Sequence, residues 1–376
     1  MARAADCGPD RGARVMLEIS LRHRLSGFTL DLALSAPSGV TALFGPSGAG
    51  KTTVVNAVAG LLRPEQGRIA VGGEVLLDTG ANICLPPHKR RIGYVFQDAR
   101  LFPHLSVRAN LLYGRRFAPV SRDGAEFDRV VAMLGLEALL ERRPAALSGG
   151  EKSRVALGRA LLCAPRMLLM DEPLAALDAA RKEEILPYFE RLRDEVQLPI
   201  LYVSHAPAEV ARLATSVALI EAGHLRGFGP AREVLSDPGL APSLGMREAG
   251  AVISGQVAGQ EADGLARIET AGGPVLLPYP TGQPGQALRL RIHAGDVTLA
   301  RGRPEGLSAL NILPARITQI RPAEAPSVYV QLALGPERLL ARLTTRSVAA
   351  LGLTEGMECH AIIKAMSVAS EDVLGR

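Results

Sequence analysis

The stretch Val40-Thr-Ala-Leu-Phe-Gly-Pro-Ser-Gly-Ala-Gly-Lys-Thr-Thr53 decides how this chain folds. Its first five residues are β-branched or apolar, the composition of a strand buried on both faces. The strand runs into Gly45, Pro46, Ser47, Gly48, Ala49, Gly50, Lys51 and Thr52, a full match to GxxxxGK[ST]. The apolar spacing over Lys51–Ala59 predicts a helix. Strand, glycine loop and helix together make a phosphate cradle: glycines let backbone N–H groups approach phosphate oxygens, and the helix start adds partial positive charge. Lys51 is expected to bridge the β- and γ-phosphates, Thr52 to ligate Mg²⁺ through its hydroxyl, and Thr53 to complete the nucleotide contact. A cradle of this kind specifies a nucleoside triphosphate, and no NKxD-type segment for reading guanine is present.

Two further segments supply chemistry. In RMLLMDEP (166–173) an apolar strand ends in two carboxylates. Asp171 is placed to hold Mg²⁺, and Glu172 to polarise an attacking water as general base. Adjacent acids at this place can also simply cap the following helix. In LSGGE (147–151) Ser148, Gly149 and Gly150 open another helix, a second N-terminus suited to an anion. The same residues also read as an ordinary capped helix start.

Outward from these motifs, short apolar runs alternate with helical patterns. VTALFG (40–45), RIGYVF (91–96), RMLLMD (166–171) and PILYVS (199–204) read as buried strands, and 51–59, 150–162 and 179–195 as helices. Such alternation implies an α/β domain with a parallel-sheet core between helices. From about residue 250 the texture changes to short strands separated by Gly and Pro turns, the pattern of a small all-β barrel or sandwich. The expected division is a disordered tail over 1–15, a nucleotide-binding domain over 16–235 and a linker over 236–250. A short β segment over 251–305 and a β module over 306–376 follow.

Composition narrows the class. With 376 residues, 47% hydrophobic and 22% charged, the chain can bury two cores. The formal charge of +5 is scattered and aromatics are 4% with no Trp, which argues against a stacking-based nucleic-acid binder. Four cysteines without CxxC spacing suggest neither a zinc site nor a disulfide framework, in keeping with a reducing cytoplasm. No run of about 18 apolar residues is present, so any pore would come from other chains.

In order and content these motifs resemble ATP-binding-cassette ATPases. GPSGAGKT resembles Walker A, RMLLMDEP resembles Walker B, and LSGGE resembles the family signature. Gln97 in YVFQDARLF matches the loop that senses the γ-phosphate and meets the transmembrane partner. Asp178 closes a D-loop reading LAALD, and His205 in YVSHAPAEV matches the switch histidine. The resemblance implies a helical subdomain and a head-to-tail homodimer. In it each ATP lies between one subunit's P-loop and the other's Ser148, Gly149 and Gly150, with Asp178 nearby. It gives Gln97 a place at the metal and Glu172, His205 and Gln97 the catalytic roles. Three departures stand out: Ala175 replaces a common serine, Ala206 follows the histidine where Asp is common, and the adenine-stacking aromatic has no Tyr or Trp. His23 and Phe28 are the alternatives there.

Residues 83–114 resemble the same region of molybdate-importer ATPase subunits. LSALNILPARITQI (307–320) resembles the SARN motif of Mop domains, an OB-like TOBE-type barrel. Ser308, Ala309 and Asn311 match, Leu310 replaces the usual arginine, and Lys364 in IIKAMSV matches a later lysine. Hydroxyl, backbone N–H and ammonium suit a tetrahedral oxyanion. The resemblance implies an ATPase using ATP and Mg²⁺ that powers molybdate import. It would sit peripherally on the cytoplasmic face of the inner membrane, docked on permease subunits fed by a substrate-binding protein, with the C-terminal module binding molybdate, dimerising the subunit, or both. Import of sulfate, tungstate, ferric ion or a sugar is the alternative within the class, and a non-transport cassette ATPase the alternative outside it.

Overall fold

The computed structural model describes residues 15–117, 124–244, 249–279 and 282–374. The expected tail over 1–15 therefore lies outside the described residues apart from Val15. Contacts divide the chain into one unit of residues 1–205 and 213–229 and a second of residues 206–212 and 230–376.

Strands of the first unit are β1 (Leu17–Arg24), β2 (Thr29–Ala36), β3 (Gly39–Phe44), β4 (Gln66–Val71), β5 (Glu74–Asp78) and β6 (Ile83–Cys84). They continue with β7 (Ile92–Val95), β8 (Met167–Asp171), β9 (Pro199–Val203), β10 (Ser216–Glu221) and β11 (His224–Pro230). Among the described residues they form one sheet of eleven strands in the order β6-β5-β4-β1-β2-β11-β10-β3-β9-β8-β7. The expected parallel sheet is the centre of this larger one: β10, β3, β9, β8 and β7 pair in parallel. An antiparallel arm of β2, β1, β4 and β5 extends it. The arm strands alternate, with Leu17, Ile19 and Leu21 of β1 and Leu30, Leu32 and Leu34 of β2 buried. By contrast β9 is buried throughout, as a strand covered on both faces must be.

The helices used below are α1 (Lys51–Ala59), α2 (Val107–Tyr113), α3 (Gly124–Leu134), α4 (Gly149–Leu161) and α5 (Ala179–Glu195). One apolar cluster sets Val54, Val55 and Val58 of α1 against Leu169, Leu201 and Val203 of the central strands. On another cluster, helices α2 to α5 bury Leu111, Leu134, Leu157 and Leu186 together with Leu168 and Ile200. The two clusters take opposite faces of the same strands, because side chains alternate along them. Arg90, 1% exposed, donates to the carbonyls of Ala57 and Val58 at 2.7 and 2.8 Å and so closes the C-terminus of α1.

The second unit contains β12 (Gly250–Gln260), β13 (Ala266–Thr270), β14 (Gly273–Leu277), β15 (Ala287–His293) and β16 (Val297–Ala300). It continues with β17 (Asn311–Pro322), β18 (Ser327–Leu334), β19 (Glu337–Thr344), β20 (Glu358–Ile363) and β21 (Val373–Leu374). Among the described residues they make two five-stranded antiparallel sheets, β14-β13-β12-β15-β21 and β16-β20-β17-β18-β19. The sequence reading placed a division near residue 305, but the strands cross it. β16 pairs with β20 in the second sheet, and β21 returns to pair with β15 in the first. A single core joins Ile253, Ile268 and Leu290 to Leu313, Val330 and Leu339. Of the expected linker over 236–250, residues 241–244 are helical and β12 already begins at Gly250, while 245–248 lie outside the described residues.

Candidate functional site

The nucleotide cradle grows from β3, whose last five residues are buried. At Gly45 the chain turns with φ 147°, and any Cβ there would collide with the carbonyl oxygen of Ile220. Only glycine satisfies that position. No side chain caps α1 at Gly50, so its first-turn N–H groups keep their capacity for an anion. Lys51 is 5% exposed, and its ammonium donates to the carbonyls of Gly45 and Pro46 at 2.7 and 2.8 Å. Burial pushes its pKa down, opposed by the negative charges of Glu172 and Asp171.

Asp171 ends β8 beside Val203 of β9. Burial pushes its carboxyl above the ordinary value and Glu172 adds to the rise; hydrogen bonds from Tyr94 and Thr52 and the charge of Lys51 oppose it. Asp171 and Thr52 are thus partners, a hard-oxygen pair of the kind Mg²⁺ takes when phosphates and water complete its shell. Among the described residues no group of three or more His, Cys, Asp or Glu side chains could hold a metal by itself.

Glu172 has φ 47°, in the left-handed region. Holding a non-glycine residue there costs about 1–3 kcal/mol, and such strain persists where surrounding contacts over-determine it. Here the Glu172 N–H donates to Val203 O at 3.1 Å and its carboxylate lies 3.1 Å from His205 Nδ1. Two of the three residues expected from sequence to be catalytic, Glu172 and His205, are therefore in contact with each other.

Gln97 follows β7 and borders a cleft of about 710 Å³ together with Thr52, Asp171, Gly149, Lys152 and Ser153. The cleft gathers residues from the P-loop helix, the carboxylate strand and the start of α4. Ser148 forms a full capping box: its Oγ accepts from Glu151 N at 3.2 Å, and Glu151 accepts from Ser148 N at 2.7 Å. The bond from the Ser148 backbone N–H, above all, holds the Glu151 carboxyl below its usual range. The capped-start reading of LSGGE is thus realised, and it leaves the N–H groups of Gly149 and Gly150 without an intrahelical partner. Both glycines also have packing reasons, since a Cβ would press on Leu177 at Gly149 and on Ile185 at Gly150. Asp178 caps α5 by accepting from Arg181 N at 2.9 Å.

Of the two alternatives for the adenine contact, the structure brings Phe28 to the cradle. A Cβ on Gly50 would stand 3.5 Å from the Phe28 ring. His23 faces Leu30 across β1 and β2, and its Nδ1 is buried with no hydrogen-bond partner among the described residues.

The sequence reading missed Tyr94, whose hydroxyl lies 3.4 Å from Asp171 Oδ2. Burial and the neighbouring carboxylate push this phenol well above its ordinary pKa. One signal was available: a lone hydroxyl-bearing ring in the apolar run RIGYVF needs a polar partner when buried.

The oxyanion candidates lie at one end of the second unit. Asn311 pairs with Ile363 across β17 and β20; Ser308 lies three residues before the one and Lys364 directly follows the other in sequence. Ser308 and Lys364 are exposed and Ala309 is buried. Asn311 is 1% exposed, and its amide is used within the fold: Oδ1 accepts from Leu276 N at 2.7 Å and Nδ2 donates to Leu276 O at 3.1 Å.

Comparison with known proteins agrees with this geometry. Residues 30–175 match the family described as ABC transporter, and residues 307–369 match the TOBE domain. The chain is 50% identical over 359 residues to the molybdenum import ATP-binding protein ModC of Paramagnetospirillum magneticum, covering 95% of this chain and 99% of that one. To the protein of the same name from Rhizobium meliloti it is 51% identical over 353 residues, covering 94% and 99%. Among solved structures it resembles cbiO1 of Clostridium perfringens, part of the ABC transporter complex cbiONQ, with TM-score 0.52 and 26% identity over 62% of this chain and 95% of that one. A nucleotide-free ATP-binding cassette from an ABC transporter, 22% identical with TM-score 0.52, shares the fold over 60% of this chain and 97% of its own.

Proposed function

The chain belongs to the family of molybdenum import ATP-binding proteins, and from that premise we propose that it is the subunit whose ATP binding and hydrolysis energise molybdate uptake through an ABC importer. The observation that carries this reading is the convergence on one P-loop of Lys51, the Thr52–Asp171 pair and the Glu172–His205 pair.

Each group has a task set by its place. Backbone N–H groups of the loop and of α1 bind the phosphates. Lys51 exchanges its two carbonyl partners for phosphate oxygens, and Thr52 and Asp171, with Gln97 at the cleft wall, would hold Mg²⁺. When bound there, the ion would supply charge neutralisation for the phosphates. Glu172 takes the proton of the attacking water, and His205 holds that carboxylate in position. Phe28 packs against the adenine. The exposed Ser148 with Gly149 and Gly150 faces the γ-phosphate of a second copy, so a homodimer completes each site, with Asp178 near the junction.

No helix among the described residues is long and apolar enough to cross a membrane. The pore is therefore assigned to permease subunits, docked at the cytoplasmic face of the membrane and served by an external binding protein. In the C-terminal unit Ser308, Lys364 and the backbone at Ala309 form the oxyanion contact, and Asn311 holds the strand ends that carry them. The test is ATP hydrolysis by the chain reconstituted with its permease. Molybdate delivered on the binding protein raises the rate, and sulfate leaves it at the basal level. A rate indifferent to molybdate contradicts the assignment.

A further inference from the structure

Tyr94 belongs to no motif of the proposed reaction, yet its hydroxyl is 3.4 Å from Oδ2 of Asp171, the carboxylate that Thr52 also bonds. The parallel register of β7 and β8 sets Tyr94 opposite Leu169, so Tyr94, Leu169 and Asp171 share the face of the sheet that packs on α1. Two residues on, Phe96 occupies the same face, and its ring stacks on Tyr94 with centroids 3.9 Å apart. The Arg100 guanidinium lies over Phe96 at 4.2 Å. Gln97 directly follows Phe96 and borders the same cleft as Thr52 and Asp171.

A ring at position 94 would fill this space equally well without its oxygen. A half-buried hydroxyl has to find a partner, and here the partner is a carboxylate whose own burial is unfavourable. At 3.4 Å the bond is long for an O–H donor, so it contributes more to direction than to stability. Direction is what a metal-ligating carboxylate requires, because groups that orient a ligand typically change metal affinity 10–100-fold.

We propose that Tyr94 is a positioning residue for the Mg²⁺ site: its hydroxyl orients the Asp171 carboxylate, and its stack on Phe96 keeps that carboxylate in register with the segment bearing Gln97. The inference rests on the assignment of Thr52 and Asp171 as metal ligands.

The test uses Mn²⁺ in place of Mg²⁺ and a non-hydrolysable ATP analogue on the full chain, with bound metal read by electron paramagnetic resonance. Tyr94→Phe removes the oxygen and keeps the stack. It is expected to weaken Mn²⁺ binding about tenfold, and the half-saturating metal concentration for hydrolysis moves more than kcat at saturating metal. Tyr94→Met removes both the hydroxyl and the stack and should weaken Mn²⁺ binding at least as much as Tyr94→Phe does. A shift with Met alone traces to packing and overturns the proposal, as does wild-type Mn²⁺ affinity in Tyr94→Phe whatever its effect on melting. In the same titration Asp171→Asn reports on the site itself. Retained Mn²⁺ binding there overturns the ligand assignment and the role of Tyr94 with it. Lost binding there beside wild-type affinity in Tyr94→Phe overturns the positioning role alone.

Discussion

His205 Nδ1 lies 3.1 Å from Glu172 Oε1, although the two residues leave the sheet from different strands, β9 and β8. The contact is made possible by a backbone turn at Glu172 with φ 47°, held by the bond from its N–H to Val203 O. The strained residue and the histidine thus belong to one arrangement, and in the proposed reaction the carboxylate is the base and the imidazole its support.

Replacing Glu172 with Gln keeps the shape and removes the base. ATP binding by the variant should match wild type, while kcat falls by about 10²–10⁴-fold. Equilibrium binding of a fluorescent ATP analogue beside steady-state phosphate release checks both halves. Hydrolysis near the wild-type rate contradicts the assignment of the base.

Asp171 shows a conflict between stability and function. Its carboxyl is pushed up by burial and by Glu172, so the folded state binds its proton more tightly than the unfolded chain does. The resulting destabilisation is absent below the ordinary Asp pKa of about 3.9 and fully present once the pH exceeds the raised value. Asp171→Asn should therefore raise metal-free stability at pH 7 by on the order of 1 kcal/mol and abolish Mg²⁺-dependent hydrolysis. Thermal melts at pH 7 in chelator check the sign: a lower melting temperature would contradict it.

Phe28 beside Gly50 predicts an adenine contact. Stacking of a base on an aromatic contributes about 1–3 kcal/mol, so Phe28→Ala should weaken ATP roughly tenfold or more and leave tripolyphosphate affinity alone. His23→Ala should change neither, and calorimetric titration of both ligands distinguishes the two residues.

Asn311 closes the second unit by bonding both backbone groups of Leu276. Asn311→Ala leaves those groups unpaired and should destabilise the fold by about 1–3 kcal/mol. Urea unfolding followed by circular dichroism reads the loss. An unchanged midpoint would show that the clasp contributes nothing.

The chain made some of this legible and hid the rest for identifiable reasons. Helices α1 and α5 begin and end where apolar spacing and the flanking Gly50, Gly60 and Asp178 place them, because helix signals are local. The antiparallel arm went unread although β1 and β2 alternate in period two through Leu17, Ile19, Leu21, Leu30, Leu32 and Leu34. That signal lay in the sequence beside a more conspicuous motif. The exchange of β16 and β21 between the two C-terminal sheets left no local trace, since pairing at such separation is fixed by the shared core. In the candidate site, Thr52, Asp171, Glu172 and His205, expected from motif spacing, meet as pairs in space. The partner of Tyr94, Asp171, and the clasp made by Asn311 emerged only from positions in space.

Uptake of labelled molybdate by cells that lack this chain, complemented with the wild-type protein or with Glu172→Gln, tests the central claim most directly. The account predicts that wild type restores saturable molybdate uptake with sulfate uptake unchanged, and that Glu172→Gln restores none. Equal molybdate uptake with both forms, or rescue of another solute in its place, would contradict it.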